Sequence, residues 1–300
     1  MRRAALVMAY GTPASIDDVE AYYTDIRGGR PPSAELLAEL TQRYQAIGGR
    51  SPLLEITRAQ AAGIQERLDD VSCYVGQKHA APFIADAIRQ MKEDGIDEVA
   101  GLVLAPHFST MSVGDYERRA RDAALELGWQ LDLEMIQSWH LEPGFIDLLA
   151  DRVIATLDRL SASTREDAVV VFTAHSLPTS ILDRGDPYVD QLQQTADAVA
   201  SKAGLDRWQI GWQSAGRTSV EWIGPDLLEI MVEIAAKNAR ALVVCPCGFV
   251  ADHLEVLYDL DIEAKALALE LEIELERTSS PNADPAFLDT LAAVVARAFE

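Results

Sequence analysis

Two places in this sequence hold residue types that could do chemistry together. The first is an acidic run, Asp252-His-Leu-Glu-Val-Leu-Tyr-Asp-Leu-Asp-Ile-Glu263. Read as a helix, it sets Glu255, Asp259 and Glu263 at i, i+4 and i+8 along one face. Like charges so spaced repel by roughly a few tenths of a kcal/mol per pair unless a cation or basic partner offsets them. The row is therefore either a path for a divalent cation leading toward Glu255 or a solvated helix face in an acidic protein. Its position directly after the turn-rich segment Cys245-Pro-Cys-Gly-Phe-Val-Ala251 speaks for the path.

The second place is His175, in Ala174-His-Ser-Leu-Pro178 after an apolar run. Its imidazole can accept a proton near neutral pH or bind a borderline metal through a neutral nitrogen. Tyr10, at the end of the first apolar run, offers a phenol oxygen as an axial ligand or simply a packing surface. His107 and His79 are weaker candidates of the same kind. Cys245-Pro-Cys247 falls short of a closed zinc or iron-sulfur set and reads better as buried small residues.

The elements that must position these groups follow an α/β pattern. Runs apolar on both faces, at 4–10, 99–105, 168–173 and 241–245, read as strands of parallel sheets covered by helices. Helical stretches lie between them, at 15–26, 34–47, 52–68, 82–94, 113–127, 143–160, 190–203 and 224–238. An internal echo supports two similar units. Ala9-Tyr-Gly-Thr-Pro13 resembles Ala174-His-Ser-Leu-Pro178, and Leu102-Val-Leu-Ala-Pro106 resembles Leu242-Val-Val-Cys-Pro246, in the same order. Two α/β domains are expected, 1–150 and 151–300, with a cleft at the carboxyl ends of their strands.

Charge narrows the function. The 300 residues carry 26 Lys plus Arg against 48 Asp plus Glu, a net charge of -22, which disfavours nucleic acid and anionic membrane surfaces as partners. With 49% hydrophobic residues the chain can still bury a large core. Three cysteines cannot pair completely, so a reducing cytoplasm is expected. The start, MRRAALVMAY, reads as a first strand rather than a secretory leader, and no run approaches the roughly 18 apolar residues of a membrane span. From 26 to 58 the sign inverts: five arginines (Arg27, Arg30, Arg43, Arg50, Arg58) face three glutamates. That segment, with Tyr44 beside Arg43, suits a ligand that carries carboxylates on a flat apolar body.

These residues form a pattern that resembles the ferrochelatase family, nearest to its soluble bacterial branch acting on coproporphyrin III. The resemblance runs nearly end to end. It rests on Met8-Ala-Tyr-Gly-Thr-Pro13, Tyr22-Tyr-Thr-Asp-Ile-Arg27, Arg43-Tyr-Gln-Ala-Ile-Gly-Gly49 with Ser51-Pro52, Leu104-Ala-Pro-His-Phe-Ser109, Ala174-His-Ser-Leu-Pro178, Gly211-Trp-Gln-Ser214, Gly224-Pro-Asp226 and Gly248-Phe-Val-Ala-Asp-His-Leu-Glu255. It implies two Rossmann-like domains with parallel sheets, facing each other across a porphyrin cleft, and a lyase that inserts Fe(II) in haem biosynthesis. By motif, His175 and Glu255 would handle the metal on one face of the porphyrin and Tyr10 would lie on the other. Arg27, Arg43, Tyr44, Ser51 and Tyr116 would line the macrocycle and its propionates, and Asp259 and Glu263 would form an outer row for hydrated metal or a second divalent cation such as Mg. No cysteine follows Cys247, so the [2Fe-2S] cluster of some relatives is not expected. Arg217, after the Gly211–Ser214 motif, has no assignment. A monomer that hands its product to a downstream haem-pathway enzyme is expected. The alternatives are a protoporphyrin IX ferrochelatase, a cobalt or nickel chelatase of the same fold, and a non-catalytic porphyrin or metal carrier.

Overall fold

The computed structural model describes residues 1–216 and 218–300; Arg217 lies outside them. Two sheets form the frame. The first holds β1 (Arg3–Ala9), β2 (Val71–Gln77), β3 (Glu98–Val103) and β4 (Asp132–Met135), with α1 (Val19–Ile26), α2 (Ala34–Ala46), α3 (Leu53–Gln65), α4 (Ile84–Glu93) and α5 (Val113–Glu126) in its connections. After α6 (Pro143–Leu157) and the short α7 (Ala162–Arg165), the second holds β5 (Val169–His175), β6 (Trp208–Gln213), β7 (Ala241–Cys245) and β8 (Glu274–Arg277). Its connections carry α8 (Tyr188–Ala203), α9 (Leu227–Ala236), α10 (Leu254–Leu257) and α11 (Lys265–Glu270), and α12 (Pro285–Arg297) follows the last strand.

Every strand pairing is parallel, and the two sheets repeat one order, β2-β1-β3-β4 and β6-β5-β7-β8. This is the architecture expected of two Rossmann-like units. The four strands read from the sequence, β1, β3, β5 and β7, are the inner ones. Those not identified, β2, β4, β6 and β8, are all edges. An inner strand buried on both faces reads as an unbroken apolar run, as the buried Ala241–Cys245 does. An edge strand such as Asp132–Met135 alternates exposed and buried positions and is too short to stand out.

In both sheets the first strand has its neighbours on opposite sides, so the loops after β1 and β5 leave at a reversal of strand order, where open α/β sheets make their crevice. Tyr10 follows β1 and His175 closes β5, at equivalent places. Helix α6 contains residue 150, and one continuous core runs from β1 and β3 through α3, α6 and α12 to β5 and β7. At its centre Trp139, Phe145 and Phe287 pack with ring centroids 5.1–6.2 Å apart. Helix α12, last in the chain, thus lies against α3 of the first unit, where Gly63 gives room to Leu288 and Arg67 pairs with Asp289. Phe287→Ala should cost about 3–5 kcal/mol of stability, read by denaturant unfolding, because a fully buried ring leaves a cavity that α6 and α12 cannot close. A loss under about 1 kcal/mol would show that the seam tolerates a void.

Candidate functional site

Two connected hollows lie between the units. The larger, about 450 Å³, has Tyr10, Tyr44, Ser51 and Tyr116 on one side and His175 and Glu255 on the other. The smaller, about 350 Å³, gathers Glu39, Asp226, Glu255, Asp259 and Glu263 around Arg43. Glu255 lines both, so its carboxylate stands in the wall between an apolar cleft and an acidic cavity.

Two imidazoles point at that carboxylate. His175 Nε2 lies 3.6 Å from Glu255 Oε1, and His253 Nε2 lies 3.6 Å from Oε2. Their other nitrogens are committed: His175 Nδ1 contacts the Ser176 carbonyl at 2.5 Å and His253 Nδ1 the Ala251 carbonyl at 3.0 Å. A carbonyl only accepts, so each Nδ1 carries the proton and each Nε2 is left to the carboxylate. A bare nitrogen lone pair facing a carboxylate is unfavourable, so the arrangement calls for a proton on Nε2 or a cation near it. Burial, the largest single effect, lowers the His175 pKa, but the charge and hydrogen bond of Glu255, the Ser176 carbonyl and the charge of Asp259 together outweigh it and raise it to about 9. Burial likewise opposes ionisation of Glu255, yet His175 holds it well below the usual carboxylate range. The loop carrying Glu255 can pass this close to β5 because residue 248 is glycine: a Cβ there would sit 2.5 Å from the Ala174 Cβ.

The acidic row is present but is not one α-helix. After α10, residues Asp259–Ala264 form a π-helical turn, with Ile262 N and Glu263 N both donating to Tyr258 O at 3.1 and 2.9 Å. The wider turn keeps Leu260 and Ala264 in the core while Asp259 and Glu263 face the cavity. Burial first, then the like charge of Glu255, pushes the Asp259 carboxyl up to about 7. Ser214 donates to Asp259 Oδ2 at 2.6 Å, and Arg43 lies 3.6 Å from Oδ1. Arg43 also stacks over Tyr258, 4.8 Å from the ring centroid. Arg43 lines the acidic cavity and not the larger cleft, because the carboxylates of Glu39 and Asp259 hold its guanidinium there. Arg27 lines neither hollow; it caps α1 with its guanidinium over Tyr23. Among the described residues no three His, Cys, Asp or Glu side chains converge closely enough to cage a metal, so the row is an open string.

On the far wall Tyr10 is 42% exposed into the cleft. Its ring lies 4.7 Å from that of His79, whose Nδ1 pairs with Asp25 at 2.6 Å. Lys78 reaches over the Tyr10 and Tyr116 rings and ends 2.7 Å from Asp115. His107 is fully buried with Nε2 2.9 Å from Thr195 Oγ1. Beside it, buried Asp186 accepts from Ser109 Oγ, Thr110 N and Thr110 Oγ1 at 3.0, 2.8 and 2.8 Å, pinning a cleft-lining loop of the first unit to the second. Cys245 and Cys247 are buried, and with Cys73 all three thiols are free.

Residues that the sequence reading passed over are His253, Gln213, Tyr188 and Lys78. His253 was in view within the acidic run, and only the fold turns it toward Glu255. Gln213 carried a signal in Gly211-Trp-Gln-Ser214. Its Oε1 accepts from Thr173 at 2.6 Å, and its buried Nε2, without a partner among the described residues, borders the acidic cavity.

Comparison with known proteins agrees over the whole chain. The ferrochelatase family model matches residues 2–299. The coproporphyrin III ferrochelatase of Anoxybacillus flavithermus is 51% identical, covering 97% of this chain and 94% of its own. That of Bacillus pumilus is 47% identical, covering 97% and 95%. Among solved structures, the sirohydrochlorin chelatase SirB of Bacillus subtilis subspecies spizizenii, in complex with cobalt, superposes with a TM-score of 0.62 at 11% identity, covering 99% of this chain and 95% of that one. SirB from Bacillus subtilis with Fe3+ gives 0.61 at 12%, covering 100% and 98%. At such low identity these two show a shared fold.

His107 offers a pH test independent of the acidic row. Burial, helped by the neighbouring His140, pushes its pKa down to about 3. Between that value and the roughly 6.5 of an unfolded histidine, the unfolded chain binds the extra proton, so this contribution is whole above pH 6.5 and is lost as pH falls. The melting-temperature gap between wild type and His107→Asn should therefore narrow from pH 7 to pH 4. A constant gap would mean that His107 titrates in the fold as it does in the unfolded chain.

Proposed function

Since the chain belongs to the ferrochelatase family, we propose that it inserts Fe(II) into coproporphyrin III, with release of the two pyrrole protons. The observation that carries this reading is the position of Glu255, shared by the acidic cavity and the apolar cleft and faced by two imidazoles. Metal and macrocycle need opposite environments. A hydrated divalent cation is attracted by carboxylates, whereas a porphyrin needs flat apolar walls and a few cations for its propionates. A carboxylate common to both hollows lets the ion shed water at the point where it meets the ring.

In this reading Fe(II), the substrate metal, passes Glu263 and Asp259 to Glu255 and His175, and the same outer row can hold a second divalent cation. In the metal-free site the field of Glu255 keeps a proton on His175, so His175 can take up a pyrrole proton only after Fe(II) at Glu255 has displaced that proton to solvent. Tyr10 stands across the cleft, able to meet the metal from the other face, while Tyr44, Ser51 and Tyr116 bound the macrocycle. Arg43 then balances charge in the metal path instead of holding a propionate. Nitrogen and oxygen donors do not by themselves distinguish iron from zinc, so zinc insertion in vitro is expected.

Purified protein incubated anaerobically with Fe(II) and either coproporphyrin III or protoporphyrin IX, followed by the Soret band, should convert coproporphyrin III faster. No turnover of either would overturn the assignment. His175→Ala should slow insertion by about a hundredfold or more while porphyrin affinity, read by fluorescence quenching, stays within about twofold. An equal loss of both would make His175 a structural histidine.

A further inference from the structure

We propose that Asn282 is a positioning residue for metal delivery: through Asp252 it locks the loop that carries His253 and Glu255, and so sets Glu255 between its two imidazoles. The inference rests on the reading of Glu255 as a metal-handling group.

Residues 246–253 join β7 to α10 outside the sheet ladder, so their backbone has to be tied down by other means. Asn282, in the loop after β8, does so with three of its four polar groups, and the fourth binds Gln60. Its backbone N–H donates to Val250 O at 2.9 Å. Its Oδ1 accepts from Asp252 N at 2.8 Å, and its Nδ2 donates to Asp252 Oδ2 at 2.8 Å. Its carbonyl accepts from Gln60 Nε2 at 2.8 Å, and the same amide reaches Val250 O at 3.3 Å. Gln60 belongs to α3, so the loop is hooked to the first unit as well as the second. At φ 48° Asn282 occupies the left-handed region, which asparagine and glycine tolerate best.

Asp252, one residue before His253 and three before Glu255, is held from a second direction by Ser280 Oγ at 2.9 Å on Oδ1. Arg277 then ties both ends of the segment: it lies 3.4 Å from Asp252 and makes a two-pronged contact with Asp261 of the π turn, at 2.9 and 2.8 Å. Glu255 is thus suspended between two anchored carboxylates. Asn282 holds the one next to the imidazole, and it lines neither hollow. Loss of a partner that orients a metal-handling group typically costs about 10–100-fold in metal affinity or activity, and misplacement by about 1 Å can cost about a hundredfold in rate.

Asn282→Gly keeps the left-handed backbone and removes only the two side-chain bonds. The full-length variant and wild type should be compared in steady-state insertion with varied Fe(II), in zinc binding by calorimetry without porphyrin, and in porphyrin affinity by fluorescence quenching. The expected result is a fall of about tenfold or more in kcat/KM for metal and in zinc affinity, with porphyrin affinity changed less than about twofold. Ser280→Ala should move the same two readouts the same way by less, and Asn282→Gly combined with Asp252→Ala should be no worse than Asp252→Ala alone. The inference is overturned if metal and porphyrin readouts fall together, or if Asn282→Gly stays within about threefold of wild type in both metal readouts. Should that variant not fold, an unchanged Ser280→Ala overturns it instead. A wild type that binds zinc but turns over neither porphyrin would sink the enzymatic reading, while the zinc comparison would still decide the role of Asn282.

Discussion

A single carboxylate, Glu255, organises this molecule. It has to remain charged in a place that burial makes unfavourable for charge, and it does so by facing two imidazoles whose remaining N–H groups are spent on backbone carbonyls. Removing a partner from a buried ion pair generally leaves an uncompensated charge that costs several kcal/mol. The demands on the fold follow from this. His175 must sit at the end of a central strand, the Glu255 loop must cross that strand at a glycine, and the acidic turn must widen to keep its carboxylates in line while its apolar residues stay in the core.

The net charge of -22 takes on structure once the hollows are known. Acidity is concentrated in the small cavity, where Arg43 lies among the carboxylates and limits their mutual repulsion. The larger cleft is walled by tyrosines and aliphatic side chains, with Lys78 laid across two of the rings. Two ligands of opposite character can therefore approach one point from different directions, without either crossing a surface that repels it.

How far the sequence spoke depended on burial. Central strands are apolar on both faces and announce themselves; the edges, half wet and short, do not, which is why β1, β3, β5 and β7 were legible and their flanks were not. The repeated strand order was foreshadowed by two pairs of similar strand-end segments. That His175 and Tyr10 border the cleft was legible because strand ends in parallel sheets face the crevice, while Glu255, ten residues past β7, stood out only as the head of an acidic run. The surroundings of Arg43 were not legible, because a count of local charges cannot tell a propionate from the carboxylates of Glu39 and Asp259 that it meets. The π turn left no mark in the i, i+4, i+8 spacing, since that spacing fits an α-helix equally well. His253 and Asn282 depend on long-range contacts, and for Asn282 the partner Gln60 lies 222 residues away.

The path of α12 has a consequence for how the protein is made. This helix packs its aromatic ring between α6 and the first unit, so the seam between the units is closed by residues that leave the ribosome after every strand. The sheets can form in order as they emerge, and Asp186 can already tie the second unit to the first, but the α12 side of the seam is packed only when this helix arrives and spans a sequence separation of more than two hundred residues to Arg67. That part of the core between the units is thus the last to be filled as the chain emerges. A growing chain with both sheets in place would still lack the ring of Phe287 against Trp139 and Phe145, and would leave that apolar seam open to water.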